Sequence, residues 1–279
     1  DYDGNEISSL NINQYISQAY RIKYINNHLI ISGLTEEALD FKAIKMTLDG
    51  TVVWDNEYGG NSYDHCFGMD VSQDGSIFLA GHTLSGTENW DTYTMKLDFD
   101  GNLIWDRKVG NPRGFNPQYI HDEAWGIKAT NDGGCVTIAG TGDEYAYSEC
   151  NGNDCSDVWN AYLIKFDGQG NMDWQTTFSS LDVSSQNYDW AGEDIDLTDD
   201  GGAIIAVDNG RFGFLKIGNV QNLLNGDLNN DNTLNVLDVV LMVNIILDDS
   251  TYLPDADLNL DGAINVLDVI NLINLILDR

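Results

Sequence analysis

Lys96-Leu-Asp-Phe-Asp-Gly101-Asn-Leu-Ile-Trp105 holds a strand, a tight turn and a second strand in ten residues. Asp-Gly supplies the turn, because glycine takes the positive φ a hairpin needs, and apolar residues alternate with polar ones on either side. The same wording stands at Lys45-Met-Thr-Leu-Asp-Gly50-Thr-Val-Val-Trp54 and at Lys165-Phe-Asp-Gly-Gln-Gly170-Asn-Met-Asp-Trp174. The copies are spaced by 51 and then 69 residues, so the chain repeats a structural unit.

Another hairpin precedes each copy. Tyr20–Ile25 pairs with His28–Gly33, Cys66–Val71 with Ser76–Gly81, and Ala124–Thr130 with Cys135–Gly140. A fourth version joins Asp194–Thr198 to Ala203–Val207 across Asp200-Gly201-Gly202. Each unit therefore reads as four antiparallel strands, and an insertion around residues 142–158 lengthens the third. A sheet of this kind cannot bury both faces alone, so the units must stack about an axis. Residues 18–217 resemble the Trp- and Gly-rich propeller repeats of secreted bacterial proteins. That resemblance implies a mainly β fold, a β-propeller of about four four-stranded blades over residues 18–218.

The fourth unit runs through Arg211-Phe-Gly-Phe-Leu-Lys216-Ile and lacks an Asp-Gly…Trp strand. Residues 1–17 open with Asp1-Tyr-Asp-Gly4-Asn5, an echo of Asp98-Phe-Asp-Gly-Asn102. They are expected to complete the last blade, in the same molecule or in a neighbour. The first placement gives a monomer and the second a head-to-tail filament.

Beyond a linker at 219–225, residues 226–279 carry two twelve-residue loops thirty residues apart. The first offers Asp227, Asn229, Asp231, Thr233, Asn235 and Asp238; the second offers Asp257, Asn259, Asp261, Ala263, Asn265 and Asp268. Calcium takes six to eight oxygens, and such a loop supplies side chains from positions 1, 3, 5, 9 and 12 plus a backbone carbonyl from position 7. Thr233 and Ala263 hold position 7. Unlike an EF-hand, each loop ends in Asp and only a following helix is present. In both respects residues 226–279 resemble type I dockerins, which implies two Ca2+ sites and a small α module that docks on another protein. In dockerins, residues just inside each loop's end meet the partner, usually through small polar groups. Here those positions are Val236, Leu237, Val266 and Leu267. Apolar in both copies, they imply a permanent docking surface rather than ordinary cohesin recognition.

Composition narrows the classes. Forty-five acidic residues against 13 basic ones give a net charge of −32, which repels nucleic acid and anionic membranes and attracts divalent cations. No apolar run is long enough to span a bilayer, so membrane insertion is not expected. The chain shows no signal-peptide pattern and reads as a mature or cut-down form of an exported, extracellular or cell-surface protein. Cys150 and Cys155 flank a polar stretch and are read as a local disulfide. Cys66 and Cys135 lie in strand-like segments, either as buried thiols or as a second bridge.

Other candidates each have two readings. Asp64, Asp122 and Asp189 open three inner strands, where they either hold a further cation at one mouth or accept backbone N–H groups. The 142–158 insertion offers Tyr145 and Tyr147 to a glycan, or Asp143, Glu144, Asp154 and Asp157 to a metal, or is a solvated loop. Trp54, Trp105 and Trp174 recur at equivalent places and read as packing; Trp90, Trp125, Trp159 and Trp190 are less regular and include candidates for a ligand platform. No hydrolase elbow, zinc-protease helix or phosphate-cradling loop is present. The sequence thus points to a non-catalytic, calcium-stabilised assembly protein that polymerises at the cell surface. The alternatives are a carbohydrate-binding or adhesion module with a dockerin anchor, and a polysaccharide-active enzyme.

Overall fold

The computed structural model describes residues 5–7, 9–36, 39–87, 89–111, 120–143, 159–180, 189–208, 213–218, 220, 226–229, 234–248, 256, 258 and 263–277. The chain divides into one unit over residues 1–220 and a second over 221–279. The class is mainly β, with a small helical C-terminal unit, as the repeats lead one to expect.

Four antiparallel meanders build the first unit. Sheet one runs β1 (Gln18–Ile25), β2 (His28–Leu34), β3 (Phe41–Thr47) and β4 (Val52–Tyr58). Sheet two runs β5 (Asp64–Val71), β6 (Ile77–Thr83), β7 (Asp91–Leu97) and β8 (Leu103–Val109). Sheet three runs β9 (Ile120–Ala129), β10 (Cys135–Asp143), β11 (Asn160–Phe166) and β12 (Met172–Phe178). Sheet four has three strands among the described residues, β13 (Ala191–Leu197), β14 (Ala203–Asp208) and β15 (Gly213–Ile217).

The turns follow their chemistry. Gly50, Gly101 and Gly170 hold φ of 88°, 80° and 78° between the third and fourth strands of their sheets. The first hairpin has no glycine and instead uses Asn26 and Asn27 at φ 48° and 60°, which asparagine tolerates.

The first strands lie side by side in chain order, β1 on β5, β5 on β9, β9 on β13; among the described residues no contact of comparable extent returns from β13 to β1. Alternation gives every sheet two apolar faces. Ile30 and Ala43 meet Ile77, Leu79, Met95 and Leu97 in the first seam. Phe78 and Ala80 meet Ala139, Tyr162 and Ile164 in the second. Val136, Ile138 and Leu163 meet Ala203, Ile205 and Val207 in the third. The repeated tryptophans seal these seams from outside, Trp54 Nε1 donating to Phe99 O and Trp105 Nε1 to Gly168 O, both at 3.2 Å.

The outer face of sheet one is covered differently. Ile12, Tyr15 and Ile16 pack on Leu29, Ile31, Ile44 and Met46, and the Leu10 side chain lies over Gly50. Residues 9–17 are therefore engaged on sheet one and form no strand beside β15. Residues 1–4, the part that echoes Asp98–Asn102, lie outside the described residues.

In the second unit, α1 (Val236–Asp248) and α2 (Val266–Leu277) follow the two loops. Leu234, Met242, Ala256 and Leu272 form its core, with Val239, Ile245 and Ile276 among the residues packed around it. Gly226 sits at φ +92°, and a Cβ there would come within 2.6 Å of Leu272 Cδ1, so glycine is required by both backbone and packing.

Candidate calcium and docking site

Within the sheet unit, the three aspartates singled out at the strand entrances are each tied to backbone. Asp64 Oδ2 accepts from Gly60 N at 2.7 Å and from the Ser85 hydroxyl at 2.9 Å. Asp122 Oδ2 accepts from Asn111 N at 2.7 Å, and Asp189 Oδ1 from Trp159 N at 2.9 Å. Register separates the third from the others: Asp64 N and Asp122 N donate to Leu39 O and Trp90 O, whereas at the third seam Trp190 N, not Asp189 N, donates to Trp159 O. No group of three potential metal-ligating His, Cys, Asp or Glu side chains gathers among the described residues.

Cys66 and Cys135 are free, buried thiols, the first of the two readings their strand-like segments allowed. They belong to different seams, and burial pushes the Cys66 thiol up to about 12. Cys150 and Cys155, with Glu144, Tyr145, Tyr147, Asp154 and Asp157, fall outside the described residues.

One cluster had no signal in the sequence beyond scattered aromatics. Tyr20 sits edge-on to Phe67 at 4.8 Å, Phe67 lies on Trp125 at 4.5 Å, and His65 lies on Trp90 at 4.8 Å between ring centroids. His82 is buried behind them, 3.3 Å from His65 through ring nitrogens. Burial, then the neighbouring His65 and His121, push its imidazole down to about 3, so it stays neutral. Tyr20 and Tyr63 remain exposed at the edge of the cluster.

The C-terminal unit holds a more specific arrangement. Asp238 and Asp268, at position 12 of each loop, are wholly buried. Asp238 Oδ1 accepts from Leu228 N at 3.0 Å and Oδ2 from Asn235 N at 2.9 Å, so the carboxylate pins both ends of its loop. Asp268 Oδ2 accepts from Asn265 N at 2.9 Å, the same bond in the second copy. Asn235 and Asn265 cap the helices, their Oδ1 atoms accepting from Leu237 N and Leu267 N at 2.8 and 2.9 Å. Asp227 is buried at the start of the first loop. Asp231, Thr233, Asp257, Asn259 and Asp261 lie outside the described residues.

Charge makes the case for a cation. Residues 221–279 contain ten aspartates and one basic residue, Arg279. Gathering so many carboxylates in a small unit is costly, and a divalent ion held by oxygens compensates such charge. The ligands present fit calcium in that sense. Beside the loops, Val236, Leu237, Val266 and Leu267 are all more than half exposed, at 69%, 56%, 64% and 52%. Two equivalent apolar pairs thus stand in the open at the starts of the two helices.

Residues 225–277 match the family model of the dockerin type I domain. A dockerin module is a non-catalytic, calcium-binding module of protein–protein assembly, found in extracellular and cell-surface proteins and partnered by cohesins. No helix among the described residues is long and apolar enough to cross a membrane.

No curated protein matches the chain. Among solved structures, similarity is found to a protein of unknown function from Bacteroides caccae, with 10% identity and a TM-score of 0.40 over 72% of this chain and 61% of that one. A hypothetical protein from Leishmania major has 14% identity and a TM-score of 0.38, over 71% and 65% of the two chains. MPT-4, a mannose phosphorylase from Leishmania mexicana in complex with phosphate ion, has 13% identity and a TM-score of 0.41, over 71% and 66%. The match thus spans less than two thirds of each of these chains, at a level of likeness that transfers neither chemistry nor partners to the sheets beside the dockerin module.

Proposed function

We propose that this chain is an extracellular, non-catalytic assembly protein whose sheet unit is built into a larger structure by a dockerin-type module that calcium folds. One observation carries the proposal: each copy of the dockerin repeat joins a wholly buried carboxylate, Asp238 or Asp268, to an exposed apolar pair at the helix start. The two loops, 227–238 and 257–268, each take one calcium ion. Binding would couple ion supply to folding, because the ligands of each loop converge only when the chain folds round the ion. Val236, Leu237, Val266 and Leu267 then form the docking surface. Its apolar character favours a lasting contact with an apolar partner protein.

The proposal is tested by immobilising the full chain and passing a type I cohesin domain over it, in millimolar calcium and then in chelator. Calcium-dependent capture that is lost in the Leu237→Asp/Leu267→Asp variant supports it. Absence of capture in both solutions contradicts docking on a cohesin, and calcium-independent capture contradicts the coupling to the loops. Strand donation from residues 1–17 to β15, the finer form of assembly, is left with residues 1–8, since 9–17 are engaged on sheet one.

A second reading has its own observation. Tyr20, Tyr63, His65, Phe67, Trp90 and Trp125 form a partly open aromatic cluster of the kind on which sugar rings stack. Binding on a glycan array that disappears with Trp125→Ala would favour a carbohydrate-binding module with a dockerin anchor.

A further inference from the structure

One face of sheet four is open, although its counterpart is buried in each of the three preceding sheets. The equivalence is set by register. Ile30 stands opposite Lys45, Phe78 opposite Lys96, Val136 opposite Lys165, and Ile204 opposite Lys216. Ile30, Phe78 and Val136 are wholly buried, as are Ala43 and Leu163 on the neighbouring strands. By contrast Ile204 is 41% exposed, and Phe214, which takes the place of Ala43 and Leu163, is 64% exposed. With Ala206, Asp194 and Lys128 they line a hollow of about 330 Å³.

In the buried cases the next sheet of the repeat covers the face. Lys45 Nζ then donates to Phe99 O at 3.0 Å, and Lys96 Nζ to Gly168 O at 3.4 Å, both in the outer turn of that sheet. Lys165, under sheet four, instead bonds Asp132 of its own sheet, and Lys216 likewise bonds its own Thr198 and Asp200, so the open face shows in the exposure of Ile204 and Phe214 rather than in the lysine.

A face of this repeat is shaped to receive the opposite face of another sheet. Among the described residues, sheet one carries such a face with no sheet on it, Ile12, Tyr15 and Ile16 covering its centre instead. Its outer turn places Leu48, 63% exposed, where Phe99 and Gly168 stand in sheets two and three. Leu10, Tyr20, Ile22 and Tyr24 are exposed beside it, around the strip of Ile12, Tyr15 and Ile16. Within one molecule the two ends do not cover each other, since Ile204 and Phe214 would then be buried.

We infer that sheet four of one copy stacks on the sheet-one end of a second copy, with Phe214 and Ile204 buried and Lys216 turned to the Leu48 turn. The contact joins two different surfaces, so it propagates head to tail. It lies wholly in the sheet unit and stands independently of the dockerin reading.

The test is sedimentation velocity of the full chain over a dilution series in calcium. Association that grows with concentration is expected, and it is lost in Phe214→Asp and in Leu48→Asp, each at an exposed position and each checked for unchanged circular dichroism. Mixing those two variants leaves one intact end on each, so dimers form and nothing longer. Leu237→Asp/Leu267→Asp associates as the unaltered chain does. A monomer at every concentration overturns the inference, as does a mixture that stays monomeric. Loss of association in the Leu237→Asp/Leu267→Asp variant alone would also overturn it, and would place self-association on the module instead.

Discussion

Lys96 Nζ lies 2.8 Å from the carbonyl oxygen of Gly133, across the seam between the second and third sheets. The same ammonium reaches Gly168 O, so one side chain ties two turns of the next sheet. Lys96 is nearly buried, and its loss takes the charged donor from Gly133 O and leaves Gly168 O with Trp105 Nε1 alone. Lys96→Met is expected to destabilise by about 2–3 kcal/mol, because bonds to a charged donor are the stronger kind. Lys216→Met, at the equivalent but exposed place, should stay within about 0.5 kcal/mol. Urea unfolding of the two variants checks the contrast.

Two glycines of like backbone should respond unlike each other. Gly101 has φ +80°, and a Cβ there would meet Asn56 Nδ2 at 2.7 Å and the Trp54 ring at 3.0 Å. Gly86 has φ +81°, but its nearest neighbour would be Lys108 Nζ at 3.9 Å. Gly86→Ala carries the backbone cost alone, about 1–2 kcal/mol. Gly101→Ala should cost more, since the Trp54 seam must also open. Thermal unfolding of both variants gives the order, and equal losses would show that the seam yields freely.

Two aspartates should give stability changes of opposite sign with pH. Burial pushes the Asp132 carboxyl up, but Lys165 Nζ at 2.6 Å and the Thr130 hydroxyl outweigh it and hold it below the ordinary range. Its folded value therefore lies below the unfolded one, so the stabilisation is full above the unfolded value and is lost as pH falls through the folded one. Asp132→Asn should be less stable than the unaltered chain at neutral pH, with the gap closing below about pH 4. Asp40 is the reverse case: burial, then Asp64 and Glu57, raise its carboxyl. Keeping it ionised weakens the fold, and Asp40→Asn should be the more stable form at neutral pH, an advantage that shrinks in acid. Melting midpoints at neutral pH and near pH 3 separate the two.

Much of this was legible in the sequence, for identifiable reasons. The Asp-Gly turns at Gly50, Gly101 and Gly201 fixed hairpin positions because only a residue tolerant of positive φ fits them. The dockerin module was legible because a twelve-residue loop of oxygen-bearing side chains recurs in it at a fixed spacing. The lysines Lys45, Lys96, Lys165 and Lys216 were visible as repeated letters, yet it was not visible that Lys45 and Lys96 tie the turns of the next sheet while Lys165 and Lys216 bond within their own, since a lysine in an alternating strand ordinarily faces water. The fate of residues 9–17 was hidden for another reason. Ile12, Tyr15 and Ile16 follow no strand alternation; they cover sheet one as an irregular strip, and only the packed structure shows which face they take. The His65, His82 and Trp90 cluster joins positions from different strands and a loop, a juxtaposition that no spacing encodes.

Calcium titration of the chelator-stripped full chain, followed by calorimetry with circular dichroism on the same samples, tests the central claim most directly. The account predicts two ions bound per chain and a gain of helix from α1 and α2, with one ion lost in Asp238→Ala and the other in Asp268→Ala. Absence of calcium binding, or binding that leaves the helices unchanged and survives both substitutions, would contradict it.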